Sequence, residues 1–231
     1  MTNQFDRTIK LIGESNFSKI QNSKIFIAGL GGVGGSVLEC LVRSGFENIT
    51  ICDFDNFDET NLNRQILSNL DNFCEKKVIE ATKRALLINK NVKVQTIATK
   101  ISKSAIDTLP LENYDYVIDC IDNVEGKICL FEKCLKFNKI IVSCCGTAKR
   151  LDPTKIIITK LSKTVNDRLA KKLRDECKKN GIDSSKINVV ISTETPVVTN
   201  STELPSMMMV PTAAAMAICY FVIKTIINRE I

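Results

Sequence analysis

A chain of 231 residues, 44% hydrophobic and 25% charged, has the composition of an ordinary globular protein with room for one substantial core. It contains no histidine, which excludes an imidazole general base and any Ser-His or Cys-His nucleophile within the chain. The net charge of +6 permits a phosphate or tRNA partner without requiring one. Ten cysteines with no Cys-x-x-Cys pair, and no signal peptide ahead of Asp6-Arg7, point to a reducing, cytoplasmic setting and away from a disulfide framework or a four-thiolate zinc site.

In chain order, β-rich runs at 24–28, 49–53, 92–97, 116–120 and 140–143 alternate with helical patterns at 33–44, 76–89 and 124–137. Alternation of this kind predicts parallel strands joined by crossover helices: an α/β, Rossmann-like, doubly wound and mostly parallel sheet. Beyond Asp152-Pro153 a strand at 155–161, a basic helix at 167–180 ended by Gly181 and a strand at 187–192 form a C-terminal α/β extension. A polar stretch at 193–206 reads as an exposed crossover loop of the length that often serves as a lid. The last helix, 210–227, carries an apolar run of eleven residues from Ala213 to Ile223. That is short of the roughly 20 a bilayer span needs, so it is read as a core or subunit-interface helix and no membrane is expected. We read one domain over 1–231, with residues 1–150 binding nucleotide and 151–231 serving substrate binding and a dimer interface.

The first strand runs directly into Gly29-Leu30-Gly31-Gly32-Val33-Gly34, which opens a helix, the context a dinucleotide-type glycine turn requires. Gly29 allows the tight turn, Gly31 and Gly32 let backbone approach phosphate, and Gly34 allows close helix packing. Asp53, nineteen residues after Gly34 at the end of the second strand, is placed to accept ribose hydroxyls. These features specify a nucleotide but not which one. Asn61-Leu62-Asn63-Arg64-Gln65 argues for ATP, because a nicotinamide enzyme has no use for a fixed guanidinium near the phosphates. Lys77, Asp122 and Asn123 each read as weakly as ordinary surface residues, but Asp122 and Asn123 follow a strand at its carboxyl end, where open α/β sheets hold ligands.

Together, Gly29 to Gly34, Asp53-Phe54-Asp55, Asn61 to Gln65, Lys77-Val78 and Asp119-Cys120-Ile121-Asp122-Asn123 resemble the adenylating domain of the ubiquitin-activating-enzyme-like superfamily. The resemblance implies that Asp53 binds the ATP ribose, that Arg64 and Lys77 hold the phosphates with Asn61, Gln65 and Asn123 around the nucleotide, and that Asp122 organises magnesium. It also implies that Arg7 reaches the γ-phosphate of a neighbouring subunit in a homodimer. Arg7 with Lys10-Leu11-Ile12-Gly13, and in the second half Leu151-Asp152-Pro153-Thr154, Leu161-Ser162-Lys163-Thr164 and Asp167-x-Leu169-Ala170, resemble the bacterial tRNA threonylcarbamoyladenosine dehydratase family.

That family implies ATP-driven adenylation of the threonine carboxylate on the modified nucleoside, then ring closure by the carbamoyl nitrogen with release of AMP. The partner implied is a tRNA carrying threonylcarbamoyladenosine, and a sulfur-relay protein comes into consideration as a second. Basic residues Arg168, Lys171, Lys172 and Arg174 on the 167–180 helix, and Lys149-Arg150, are the candidate tRNA contacts, set against the bland reading of solvated faces. An adenylyltransferase for the C-terminus of a ubiquitin-like sulfur carrier is the alternative, with a nicotinamide oxidoreductase and a silent nucleotide-binding adaptor behind it. The chain departs from its relatives at Gly35, where serine is usual, at Cys74, where glycine is common, and at Cys144-Cys145, which are read as packing residues.

Overall fold

Each apolar run becomes a strand of one seven-stranded sheet in the computed structural model, which describes residues 3–198, 200 and 204–227. The strands are β1 (Lys24–Ala28), β2 (Asn48–Cys52), β3 (Lys93–Ile97), β4 (Tyr116–Asp119), β5 (Ile140–Cys144), β6 (Ile156–Lys160) and β7 (Asn188–Ser192). Their order across the sheet is β3-β2-β1-β4-β5-β7-β6, and every pairing is parallel except that of β6 with β7. The expected doubly wound α/β sheet is therefore present, and its chain reversal falls between β1 and β4. Such a reversal opens a crevice at the carboxyl ends of those two strands.

Helices α1 (Asp6–Ile12) and α2 (Glu14–Asn22) precede the sheet, and no apolar periodicity announced them. The reason is physical: α1 buries none of its own residues and α2 buries only Phe17 and Ile20, so neither has an apolar stripe. The crossover helices are α3 (Gly32–Arg43), α4 (Lys77–Ile88), α5 (Val124–Lys136), α6 (Arg168–Lys179) and α7 (Met209–Ile226). One core packs α3, α4 and α7 on the sheet through Val37, Leu41, Ala81, Ala214 and Ile218; the other packs α5 and α6 through Leu130, Phe131, Ala170 and Leu173.

By length and composition α7 could cross a membrane, but half of its 18 residues are buried within the fold. It carries Pro211 in its first turn, where a missing N–H costs nothing. Of the crossover loop at 193–206, residues 199 and 201–203 lie outside the described residues.

Candidate active site

The glycine turn is held by sterics that only glycine satisfies. Gly29 has φ of +87°, in the left-handed region. A Cβ on Gly34 would stand 1.8 Å from the Gly29 carbonyl oxygen. Gly34→Ala is expected to abolish ATP binding and most soluble expression, since that clash lies against backbone and cannot relax; equilibrium dialysis with ATP and a thermal melt check it. A variant that melts like the parent and binds ATP normally would show the turn to be less tight than described.

The turn, the acid and the two cations form one connected group. The Leu30 N–H donates to Asp53 Oδ2 at 2.6 Å, and the Asp55 N–H donates to Asp53 Oδ1 at 2.9 Å. The Lys77 N–H in turn donates to the Asp55 carbonyl at 3.1 Å, while its Nζ lies 3.4 Å from Asp55 Oδ2. Lys77 is only 6% exposed and occupies the first position of α4. A buried cation at the positive end of a helix dipole is unfavourably placed without an anion, and here Asp55 supplies one at the long distance of 3.4 Å.

Arg64 closes the other side. Its carbonyl oxygen would lie 3.1 Å and its Cγ 3.6 Å from a Cβ on Gly32, so its backbone runs against the glycine turn. The half-buried guanidinium donates to the Thr60 carbonyl at 2.7 Å and to Asn63 Oδ1 at 2.9 Å, and forms no ion pair among the described residues. Asn61 shapes this turn by accepting from the Asp58, Arg64 and Gln65 backbones, the last two through its carbonyl. Gln65 is buried, with Oε1 unpartnered among the described residues. Leu67 fills the space beside Gly35, 3.2 Å from where a Cβ would sit, so a serine there would press on a core side chain. Cys74 adopts φ of +66°, which costs an L residue about 1–2 kcal/mol and which glycine would adopt without strain.

Past β4, Cys120 backs onto Gly29, and two residues later Asp122 is exposed and makes no ion pair among the described residues. Asn123 has a structural task, capping α5 by accepting from the Gly126 N–H at 2.7 Å, which leaves its side-chain oxygen engaged. Arg7 stands exposed on α1 and makes no hydrogen bond or ion pair to the cluster among the described residues. No cluster of three or more metal-ligating side chains exists among the described residues.

Beneath the crevice lies a group that pattern reading missed. Lys127 and Asp119, both fully buried, pair at 2.9 Å; Lys127 Nζ also donates to Ser143 Oγ at 3.0 Å and the Cys144 carbonyl at 2.8 Å. Burial drives the Lys127 pKa down, but Asp119 and the neighbouring thiols outweigh it, leaving a net upward shift and a charged ammonium. All ten cysteines are free. Burial pushes the Cys144 thiol up to about 12 and raises Cys145 further, which makes both packing groups and not nucleophiles.

The proposed tRNA contacts divide. Arg168, Lys171 and Lys172 are exposed on α6, whose N-cap, Asp167, accepts from Ala170 N–H at 2.8 Å and from Gly146 N–H at 3.1 Å. The helix is thus tied to the loop after β5. Arg174 is half-buried and donates to both the carbonyl and hydroxyl of Thr164, which removes it from the open basic face. Lys149 is half-buried, and Arg150, read from sequence as a surface contact, is only 4% exposed.

A family model described as the ThiF family matches residues 5–230. The chain is similar to tRNA threonylcarbamoyladenosine dehydratase of Bacillus subtilis (strain 168), 34% identical over 167 residues that cover 72% of this chain and 66% of that protein. The enzyme of the same name from Haemophilus influenzae is 36% identical over 159 residues, covering 68% and 60%. The chain thus spans about two thirds or less of the length of these curated relatives. A crystal structure of E. coli tRNA N6-threonylcarbamoyladenosine dehydratase in complex with AMP matches with a TM-score of 0.93 at 30% identity, covering 97% of this chain and 94% of that one.

Proposed function

Because the chain belongs to the ThiF family, we propose that it adenylates a carboxylate with ATP, and that the carboxylate is the threonine of threonylcarbamoyladenosine in tRNA. The observation that carries the adenylation is the connected group of glycine turn, Asp53 and buried Lys77, with Arg64 on its flank: two cations around an anion-binding turn. Helix-terminal N–H groups at Gly32 to Gly34 face the nucleotide phosphates, and Asp53 faces the ribose. The carboxylate oxygen forms a bond to the α-phosphorus while the bond to pyrophosphate breaks; Arg64 and Lys77 stabilise the charge that builds on the phosphoryl oxygens. The nucleophile is already ionised at neutral pH, so the absence of histidine costs the reaction nothing. The carbamoyl nitrogen then bonds to the activated carbonyl, losing its proton as AMP leaves, and the net change is loss of water from the nucleoside.

Magnesium fits the residues present. Asp122 offers one exposed, unpaired hard oxygen donor at the crevice, and magnesium at phosphates needs only one or two carboxylates. When bound, the ion would neutralise phosphate charge beside Asp122.

Exposed Arg168, Lys171 and Lys172, joined to the β5 loop through Asp167 and Gly146, form the proposed tRNA contact. Met209, Met216 and Tyr220 are exposed on one face of α7, at i, i+7 and i+11, a surface suited to a second copy that would bring Arg7 to the phosphates. Under this reading residues 1–150 serve the nucleotide and 151–231 the acceptor and the dimer.

Incubation with ATP, magnesium and threonylcarbamoyl-modified tRNA, followed by nucleoside mass spectrometry, is expected to show loss of one water and release of AMP. No loss of water, under conditions in which a sulfur-carrier C-terminus becomes adenylated, would replace the tRNA with a ubiquitin-like carrier as acceptor.

A further inference from the structure

Among the described residues, Arg150 is a buried arginine whose surroundings do not account for its charge. Its guanidinium, which stays protonated at any accessible pH, has five N–H donors. Among the described residues it makes one hydrogen bond, from Nη2 to the Asn166 carbonyl at 3.1 Å, and Nε and Nη1 are buried without a partner. Asp167, in the adjoining turn, has its carboxylate held by Gly146 and Ala170 and forms no ion pair with Arg150. An arginine 4% exposed with no counter-ion among the described residues is held at a cost that an incoming anion would remove.

Position narrows the anion. Arg150 belongs to the loop that follows the carboxyl end of β5; β5 lies beside β4, which Asp122 follows, and β4 alone separates it from β1, which leads into the glycine turn. The loop is held under backbone constraint: Lys149 has φ of +60°, its N–H donates to the Pro205 carbonyl at 2.8 Å, and its carbonyl accepts from Val197 N–H at 2.8 Å. Non-glycine residues in that region persist where surrounding structure fixes them, often beside ligands. A phosphodiester carries a ribose on each side and binds on open surfaces, whereas a carboxylate at the end of a side chain can enter a closed site and pair with the planar guanidinium.

We propose that Arg150 binds the carboxylate of the acyl acceptor and presents it to the nucleotide, an inference that rests on the carboxylate-adenylating reading above. Both free nitrogens are buried in the described conformation, so the carboxylate reaches them only after local rearrangement around Arg150.

The test compares wild type with Arg150→Met, which keeps the apolar stem and removes the uncompensated charge. Binding of threonylcarbamoyl-modified tRNA is expected to weaken about tenfold or more, the range for a hydrogen bond to a charged group. Binding of the same tRNA without the modification and KM for ATP are expected to stay within twofold, about 0.4 kcal/mol, with melting temperature equal to or above wild type. Equal weakening for both tRNAs, with a shallower salt dependence, would make Arg150 a phosphate contact and overturn the proposal. Unchanged binding of both would make it structural and overturn it equally. Should Arg150→Met fail to fold, Arg150→Lys is measured instead, with the same pattern expected because an ammonium cannot replace a planar fork, and the same results decisive. Wild type that neither dehydrates nor prefers the modified tRNA would instead defeat the reading on which the inference rests.

Discussion

Arg64→Ala is expected to lower kcat for ATP-dependent turnover by about 10²–10³, the usual cost of removing one donor aimed at charge that develops in the transition state. The fold should be indifferent. The guanidinium is half-buried and its contacts, the Thr60 carbonyl and Asn63 Oδ1, lie within its own turn; the backbone bonds of Arg64 and Gln65 to Asn61 do not involve the side chain. Melting temperature should therefore stay close to the parent, while single-turnover release of AMP slows. KM for ATP should rise much less than kcat falls, because on the proposed reading Lys77 and the glycine turn would still bind the ground-state phosphates. A fall in kcat of less than fivefold, below about 1 kcal/mol, would remove Arg64 from the chemistry and leave it a loop residue.

How far the site could be read from sequence follows from what each residue depends on. Gly29 and Gly34 were legible because their requirement is local: one needs a left-handed φ, and the other abuts the carbonyl of the first. Asp53 followed from its spacing, although it lies just past β2 and holds Leu30 and Asp55 in the structure. Lys77 and Arg64 became legible only through the company they keep, since an isolated lysine or arginine reads as solvated. Asn123, expected around the nucleotide, caps α5 with its side chain, a role that an asparagine just ahead of a helical pattern suggests.

Arg150 and Lys127 were illegible for a different reason. Their burial depends on several chain segments meeting: for Arg150 the β5 loop and Asn166, for Lys127 both β4 and β5. Helices α1 and α2 escaped because neither presents an apolar stripe, and helix periodicity is visible only where a face is buried.

Lys127→Ala is expected to destabilise the protein by about 3–5 kcal/mol, because it leaves Asp119 charged and buried without its counter-ion. Against a total of about 5–15 kcal/mol that is a large fraction, and it corresponds to a fall in melting temperature of roughly 6–20 °C. The pair also joins strands: Lys127 on α5 reaches Asp119 on β4 and Ser143 and the Cys144 carbonyl on β5, while Ser143 Oγ donates to Asp119 Oδ2 at 2.6 Å. These are the strand ends from which Asp122 and the Arg150 loop project, so loosening them should weaken acceptor binding in whatever fraction remains folded. The upward shift of the Lys127 pKa means that its contribution is complete below the unfolded lysine value near ~10.4 and is lost only as pH rises through the folded value. The variant should therefore differ from wild type by a constant amount across neutral pH, with the gap closing only in strong alkali. Chemical denaturation at several pH values checks both statements. A double replacement, Lys127→Met with Asp119→Asn, should cost less than the two singles added, since the lone buried charge is gone. Simple additivity, or a Lys127→Ala variant melting within about 2 °C of wild type (under 1 kcal/mol), would show that the buried pair does not clamp the crevice.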